Sequence, residues 1–170
     1  MSMNRHKVEK ETRKHIDEVR IFLDEICQEF KERGISHDQS KLHTPEVEVF
    51  EVYTEKLKST TYGSEKYKQY LKEMKPALEH HYANNRHHPE HFLLTVADDF
   101  EYFERGKKNL IQCMTLIDIV EMLCDWRAAT KRHIDGDVMK SIELNQKRFG
   151  YGNELKQILI NTINQSPEGK

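Results

Sequence analysis

The stretch VEKETRKHIDEVRIFLDEICQEF, residues 8–30, decides the fold class. Its apolar side chains fall at Val8, Ile16, Val19, Phe22, Leu23, Ile26 and Phe30, with His15 in the same stripe. Steps of three and four residues place them along one face of a helix and leave the charged residues to the others. Gly34 is predicted to end that helix. The same period returns down the chain. Thr44 as N-cap, with Pro45 at the first helical position, predicts a second helix. Ser64 is predicted to cap a third, running towards His81 with a kink near Pro76. Residues 84–89 read as a loop, 93–103 as helix and 105–109 as a break. A long helix is expected from Thr115 to His133. Asp135-Gly136-Asp137 reads as a turn that caps a helix to about Arg148. Residues 150–153 turn again before a last helix ending near Asn164. No alternating segment suits a strand, and no internal repeat is evident. The expectation is all-α: one helical domain over residues 1–164 and a frayed tail at 165–170.

Bulk properties narrow the function classes. The chain has 170 residues, enough for one domain with a real core. Its formal net charge of −2 offers no overall field for nucleic acid, so stable nucleic-acid binding is not expected. The charged N-terminus lacks the apolar region of a signal peptide, and no run is long enough for a membrane span. Cys27, Cys113 and Cys124 show no CxxC spacing and read as reduced core thiols, which with the missing signal predicts a cytoplasmic location.

The chemistry gathers in two places. Seven of the ten histidines lie in or beside His37-Asp38-Gln39-Ser40-Lys41 and the segment from His80-His81 to His87-His88-Pro89-Glu90-His91. Imidazole and carboxylate are the usual ligands of a divalent ion, which makes a bound metal the first expectation. His15 faces the apolar stripe, where a core histidine bonded to a carbonyl is the plain reading. The His37-Asp38 pair, one helix and one turn later, favours a ligand instead. Lys41 shares a face with Asp38 and is placed to neutralise it or to meet a phosphate. Asp118, Glu121 and Asp125 line one stripe of the helix from Thr115. Asp118 has a structural account as the acid of a capping box with Thr115. Asp125 has none: Met122, Leu123, Cys124 and Trp126 surround it in sequence, and a carboxylate there is expensive unless paired or metal-bound. Asp125 is therefore the preferred final ligand over Asp118, with Glu121 as a general base or supporting group.

A histidine in an early helix, then His-Asp, then histidine pairs, then an aspartate in a late helix resembles the HD-domain metal-dependent phosphohydrolases. His15, His37-Asp38-x-x-Lys41 and Asp125 carry that likeness. The fuller strings HDQSKL, PALEHHYANNRHHPEHF, EMLCDWRAATKRH and KSIELNQKRFG resemble DUF5662, a small family of bacteria and phages placed near the HD proteins, over roughly residues 12–155. The likeness implies an HD-domain-like helical bundle holding one or two divalent ions (Mn, Co, Mg, Zn, Ni or Fe). His15, His37, Asp38 and Asp125 would bind them, and His80, His81, His87 and His88 would supply about two further ligands. It implies hydrolysis of a phosphate ester, most simply a nucleotide, by metal-activated water. Asp38, Lys41, Arg86 and Glu121 would be catalytic, and Lys41, Asn84, Arg86 and Arg127 would bind substrate. Asn85 and Lys131 are further polar groups available to a phosphate. Residues 93–109 are longer than the family pattern and are expected to form a lid or an interface, which leaves room for a homo-oligomer. The competing expectation is a non-catalytic binding or regulatory protein stabilised by the same ion. The string His87-His88-Pro89-Glu90 also echoes pterin carbinolamine dehydratases, but those are α/β proteins and no strands are expected here.

Overall fold

The computed structural model describes residues 3–61, 64–96, 110–132 and 136–165. These contain helices and turns and no strand, as the periodicity predicts. The expected lid at 93–109 falls outside them beyond Val96, as do His133 and residues 166–170 of the tail. The chain divides into two compact units, residues 1–37 and 38–170.

The first unit is one helix, α1, Met3–Ser36. Pairs four residues apart, Arg5–Glu9, Lys14–Glu18 and Gln28–Glu32, tie successive turns along its polar faces. Gly34 does not end it. The helix runs two residues further because the Ser36 hydroxyl donates back to the carbonyls of Glu32 and Arg33, at 3.1 and 3.3 Å.

The second unit opens with Asp38 in the left-handed region (φ 55°), a conformation that aspartate tolerates better than most residues. A 3₁₀ turn, Gln39–Leu42, follows, and then α2, Glu46–Lys58. Pro45, rather than Thr44, is the residue flanking α2. The Thr44 hydroxyl bonds the side chain of Glu48 instead of the backbone, so it cannot serve as the cap. Ser64 does cap α3, Glu65–Glu73, accepting from the Tyr67 amide at 3.2 Å. The expected kink near Pro76 is a full break. α3 stops before Met74 and α4, Lys75–Asn84, begins after it. Proline sits in the first turn of α4, where its missing N–H costs nothing.

α5, His91–Val96, and a second 3₁₀ turn, Leu110–Cys113, lead towards α6, Leu116–Thr130. The Thr115–Asp118 capping box starts α6 as expected. α6 ends at Thr130, short of His133. Asp137 caps α7, Val138–Phe149, taking the amides of Met139 and Lys140, and Gly150 (φ 71°) ends it. α8 spans Asn153–Gln165. Met122 and Leu123 of α6, Ile142 and Phe149 of α7, and Leu159 and Ile163 of α8 form the core, with Phe92, Ile111, Met114 and Tyr151 closing it. α2, the first 3₁₀ turn and α4 pack together beside it and carry most of the site.

Tyr151 pins this core. Its hydroxyl donates to the Ile142 carbonyl at 2.6 Å, and burial pushes the phenol up to about 12 from an ordinary 10.0. Tyr151→Phe is expected to cost about 1 kcal/mol in urea unfolding, the net worth of a buried hydrogen bond. Because folding raises this pKa, the phenol's contribution is complete below pH 10 and is lost as pH rises through about 12. Absorbance titration of the tyrosines should show one that ionises only near that value.

Candidate metal centre

Asp38 is held at the entry to its 3₁₀ turn, where its carbonyl accepts the Lys41 amide at 2.9 Å. Its two carboxylate oxygens have different work. Oδ2 accepts from the Lys41 ammonium at 2.6 Å, while Oδ1 lies 3.4 Å from His81 Nε2 and 3.5 Å from His87 Nε2. His88 completes the group, its Nε2 being 2.9 Å from His81 Nε2. One ligand atom from each of Asp38, His81, His87 and His88 lies within 4.8 Å of all the others.

Behind the imidazoles stand two carboxylates. Glu46, the first residue of α2, is fully buried; its Oε2 lies 2.9 Å from His81 Nδ1 and its Oε1 2.7 Å from His80 Nδ1. Glu121 Oε1 of α6 lies 3.1 Å from His87 Nδ1. An ionised carboxylate only accepts hydrogen bonds, so both Nδ1 atoms carry the proton and both Nε2 atoms present lone pairs. Asp38 Oδ1 and the Nε2 atoms of His81 and His87 thus converge as acceptor atoms, with Oδ1 3.4 and 3.5 Å from the two nitrogens. This is the pattern by which carboxylates orient metal-binding histidines. Spacing agrees: ligand atoms about 2.05 Å from an ion sit about 3.3 Å apart in a tetrahedron and about 2.9 Å apart in an octahedron. The donor set fits a divalent ion.

Protonation states agree as well. Burial, helped by the Lys41 charge, lowers the pKa of His81 against the opposing pull of Asp38 and Glu46. Burial, with His87 and His81 alongside, takes His88 down to about 2. Both rings are neutral near pH 7, the form that binds metal.

The structure sorts the residues that the sequence singled out. His81, His87, His88 and Asp38 come together, and an Asp125 carboxylate oxygen lies within 4.8 Å of one from Asp38. His80 meets the other oxygen of Glu46 and is half exposed, while His81, His87 and His88 gather at the centre. His91 serves locally, its Nδ1 2.9 Å from the Tyr82 carbonyl. Asn84 donates to the His80 carbonyl at 2.8 Å and is exposed. Asn85 is buried and joins α4 to the first 3₁₀ turn, donating to Ser40 Oγ at 2.7 Å and to the His81 carbonyl at 2.8 Å. Arg86, expected at the phosphate, holds Asp118 through Nε at 3.3 Å and Nη2 at 3.1 Å and stacks over the Phe92 ring. Burial alone would raise the Asp118 pKa, but bonds from Arg86 and Thr115 hold it below the usual value. The Asp118 carboxylate is thereby committed to the helix start, and Asp125 remains the better-placed acid. Arg127 is half-buried on α6 and Lys131 follows the helix end. His15, midway along α1, and His37, the residue after it, belong to the first unit; every residue assembled above belongs to the second.

Glu46 was missed by sequence reasoning. An acid in the first turn after a proline reads as ordinary complement to the helix dipole, and nothing local shows that two histidines 34 and 35 residues on will close over it. Glu46→Ala should leave two imidazole N–H groups without their acceptor and cost about 1–3 kcal/mol in chemical denaturation. Glu46→Gln, which keeps an acceptor, should cost less.

No curated protein and no solved structure matches the chain. The sequence model of a family of unknown function, DUF5662, matches residues 4–165. That match takes in both units and all the residues of the centre, and the chain belongs to DUF5662.

Proposed function

We propose that this protein is a metal-dependent phosphohydrolase of HD type, acting in the cytoplasm on a small phosphate ester, most simply a nucleotide. The observation that carries the reading is the division of the Asp38 carboxylate: one oxygen faces two imidazole lone pairs, and the other holds the Lys41 ammonium 2.6 Å away. A purely structural ion needs four ligands and no cation beside them. A phosphate ester needs both an electrophilic centre and a positive charge for its oxygens. A divalent ion held by Asp38, His81, His87 and His88 would lower the pKa of water and neutralise phosphoryl charge.

The chain's own residues divide the remaining work. Lys41, half-buried and over the Phe50 ring, has a fixed position from which to meet a phosphoryl oxygen while still touching Asp38. Asp125, near Asp38 and acting on His88, would hold a second ion or a water. Glu121 keeps the His87 ring oriented, which favours the supporting role over the general base among the two roles expected of it. Arg86 supports the fold through Asp118. By the HD likeness, His15 and His37 add to the ligand set.

The test is metal analysis of the purified protein followed by phosphate release from mono-, di-, tri- and cyclic nucleotides with Mn, Co, Mg and Zn. Asp38→Ala should lose both the ion and turnover. Lys41→Met should keep the ion and lose about ten- to a thousandfold in kcat, as expected for removing one charged stabiliser of the transition state. Arg86→Ala should lower thermal stability with little change in bound metal. His15→Ala and His37→Ala with full metal content would remove those two residues from the ligand set. A metal-loaded protein that releases no phosphate from any nucleotide would favour the binding-protein reading.

A further inference from the structure

A second concave site lies in the same unit and shares no residue with the metal centre. It is a cleft of about 600 Å³ between the end of α2, the start of α3, the end of α6 and the start of α7. That volume falls within the roughly 300–1,000 Å³ usual for small-molecule sites. Among the described residues three cations line it, Lys58, Arg132 and Lys140, against one carboxylate, Asp137. The chain as a whole is net negative, so this local excess of positive charge is a property of the cleft and not of the composition.

The other charges there are accounted for. Asp137 accepts the Met139 and Lys140 amides as the cap of α7, so its charge is turned to the helix end. Lys58 pairs with the exposed Glu55 one turn back, a pair of the kind that contributes little and yields readily to a better partner. Thr61 and Ser141 also line the cleft and bring hydroxyls of the kind that suits phosphate oxygens, while Ala129 and Leu144 supply apolar wall. The two helix ends meet closely: a Cβ on Gly136 would fall 1.9 Å from the Thr130 carbonyl oxygen, so glycine is required where the walls join.

We infer that this cleft binds the phosphate of a small organic phosphate of nucleotide size, through Lys58, Arg132 and Lys140, at a site separate from the metal centre. Cations held on three elements around a concavity recognise a compact polyanion better than an extended surface does. The cleft is also joined to the centre by rigid elements. α2 carries Glu46 at one end and Lys58 at the other, about 18 Å apart along the helix axis, and α6 carries Glu121 and Asp125 upstream of Thr130. The cleft does not depend on the ion or on hydrolysis, so it stands or falls apart from the proposed activity.

The experiment is calorimetric titration of AMP and of adenosine into wild type, Asp38→Ala and the double variant Arg132→Glu/Lys140→Glu. With EDTA present, so that no ion holds nucleotide at the metal centre, AMP should bind wild type and Asp38→Ala alike, and adenosine far more weakly. The double variant should lose about tenfold or more in AMP affinity, as expected when two charge-assisted contacts become repulsive. Both residues are exposed, so the thermal midpoint should hold. If it does not, Arg132→Gln/Lys140→Gln gives the same comparison without reversed charge. AMP binding that disappears in Asp38→Ala, that is unchanged in either double variant, or that is matched by adenosine overturns the inference, as does no binding at all.

Discussion

A carboxylate with no solvent exposure is the constraint on which the site is built. Glu46 sits at the start of α2 with its two oxygens against the Nδ1 atoms of His80 and His81. Burying that charge is tolerable only because both oxygens meet N–H donors. The same contacts lock α2 to α4 and decide which nitrogen of His81 keeps its proton. Everything facing the centre follows from that choice. With Nδ1 occupied, His81 offers Nε2 towards Asp38 and His88, and Glu121 imposes the same state on His87 from α6.

The centre is therefore drawn from distant parts of the second unit: the turn at Asp38, the helix and loop carrying His81, His87 and His88, and the carboxylates of α6. Each is fixed by ordinary structural devices. A left-handed aspartate opens the 3₁₀ turn, Asn85 ties that turn to α4, and the Arg86–Asp118 pair anchors the loop to the start of α6. Glu90 and Arg148 fasten the far end of the same loop to α7. Burial holds His81 and His88 neutral, with their Nε2 atoms 2.9 Å apart, so the scaffold spends stability to keep lone pairs directed at one point.

Much of this was legible in the sequence, for local reasons. Helical period, the Ser64 and Asp137 caps, the Thr115–Asp118 box and Gly150 depend on neighbours within four residues, and all appear where the sequence puts them. The misreadings were local too: Gly34 and Thr44 were given cap roles that Ser36 and Pro45 changed, and the kink read at Pro76 is a break between α3 and α4. The clustering of His81, His87, His88 and Asp38 was readable because imidazoles are rare enough for their density to be a signal. Partner identity was not. Glu46 with His80 and His81, or Arg86 with Asp118, are pairs more than thirty residues apart, and no local spacing joins them. Adjacent His80 and His81 could not be separated by spacing; only the position of Glu46 sends one to each side.

The centre's ability to hold an ion through imidazole nitrogen is the claim that matters most, and X-ray absorption spectroscopy at the edge of the copurifying metal reads it directly. A first shell of nitrogen and oxygen at about 2.0–2.2 Å, with the outer scattering of about three imidazoles, is the expected result. His87→Ala should remove part of that imidazole signal. A protein that copurifies with no divalent ion and takes none up, or a spectrum without imidazole scattering, would contradict the assignment of Asp38, His81, His87 and His88 as a metal centre.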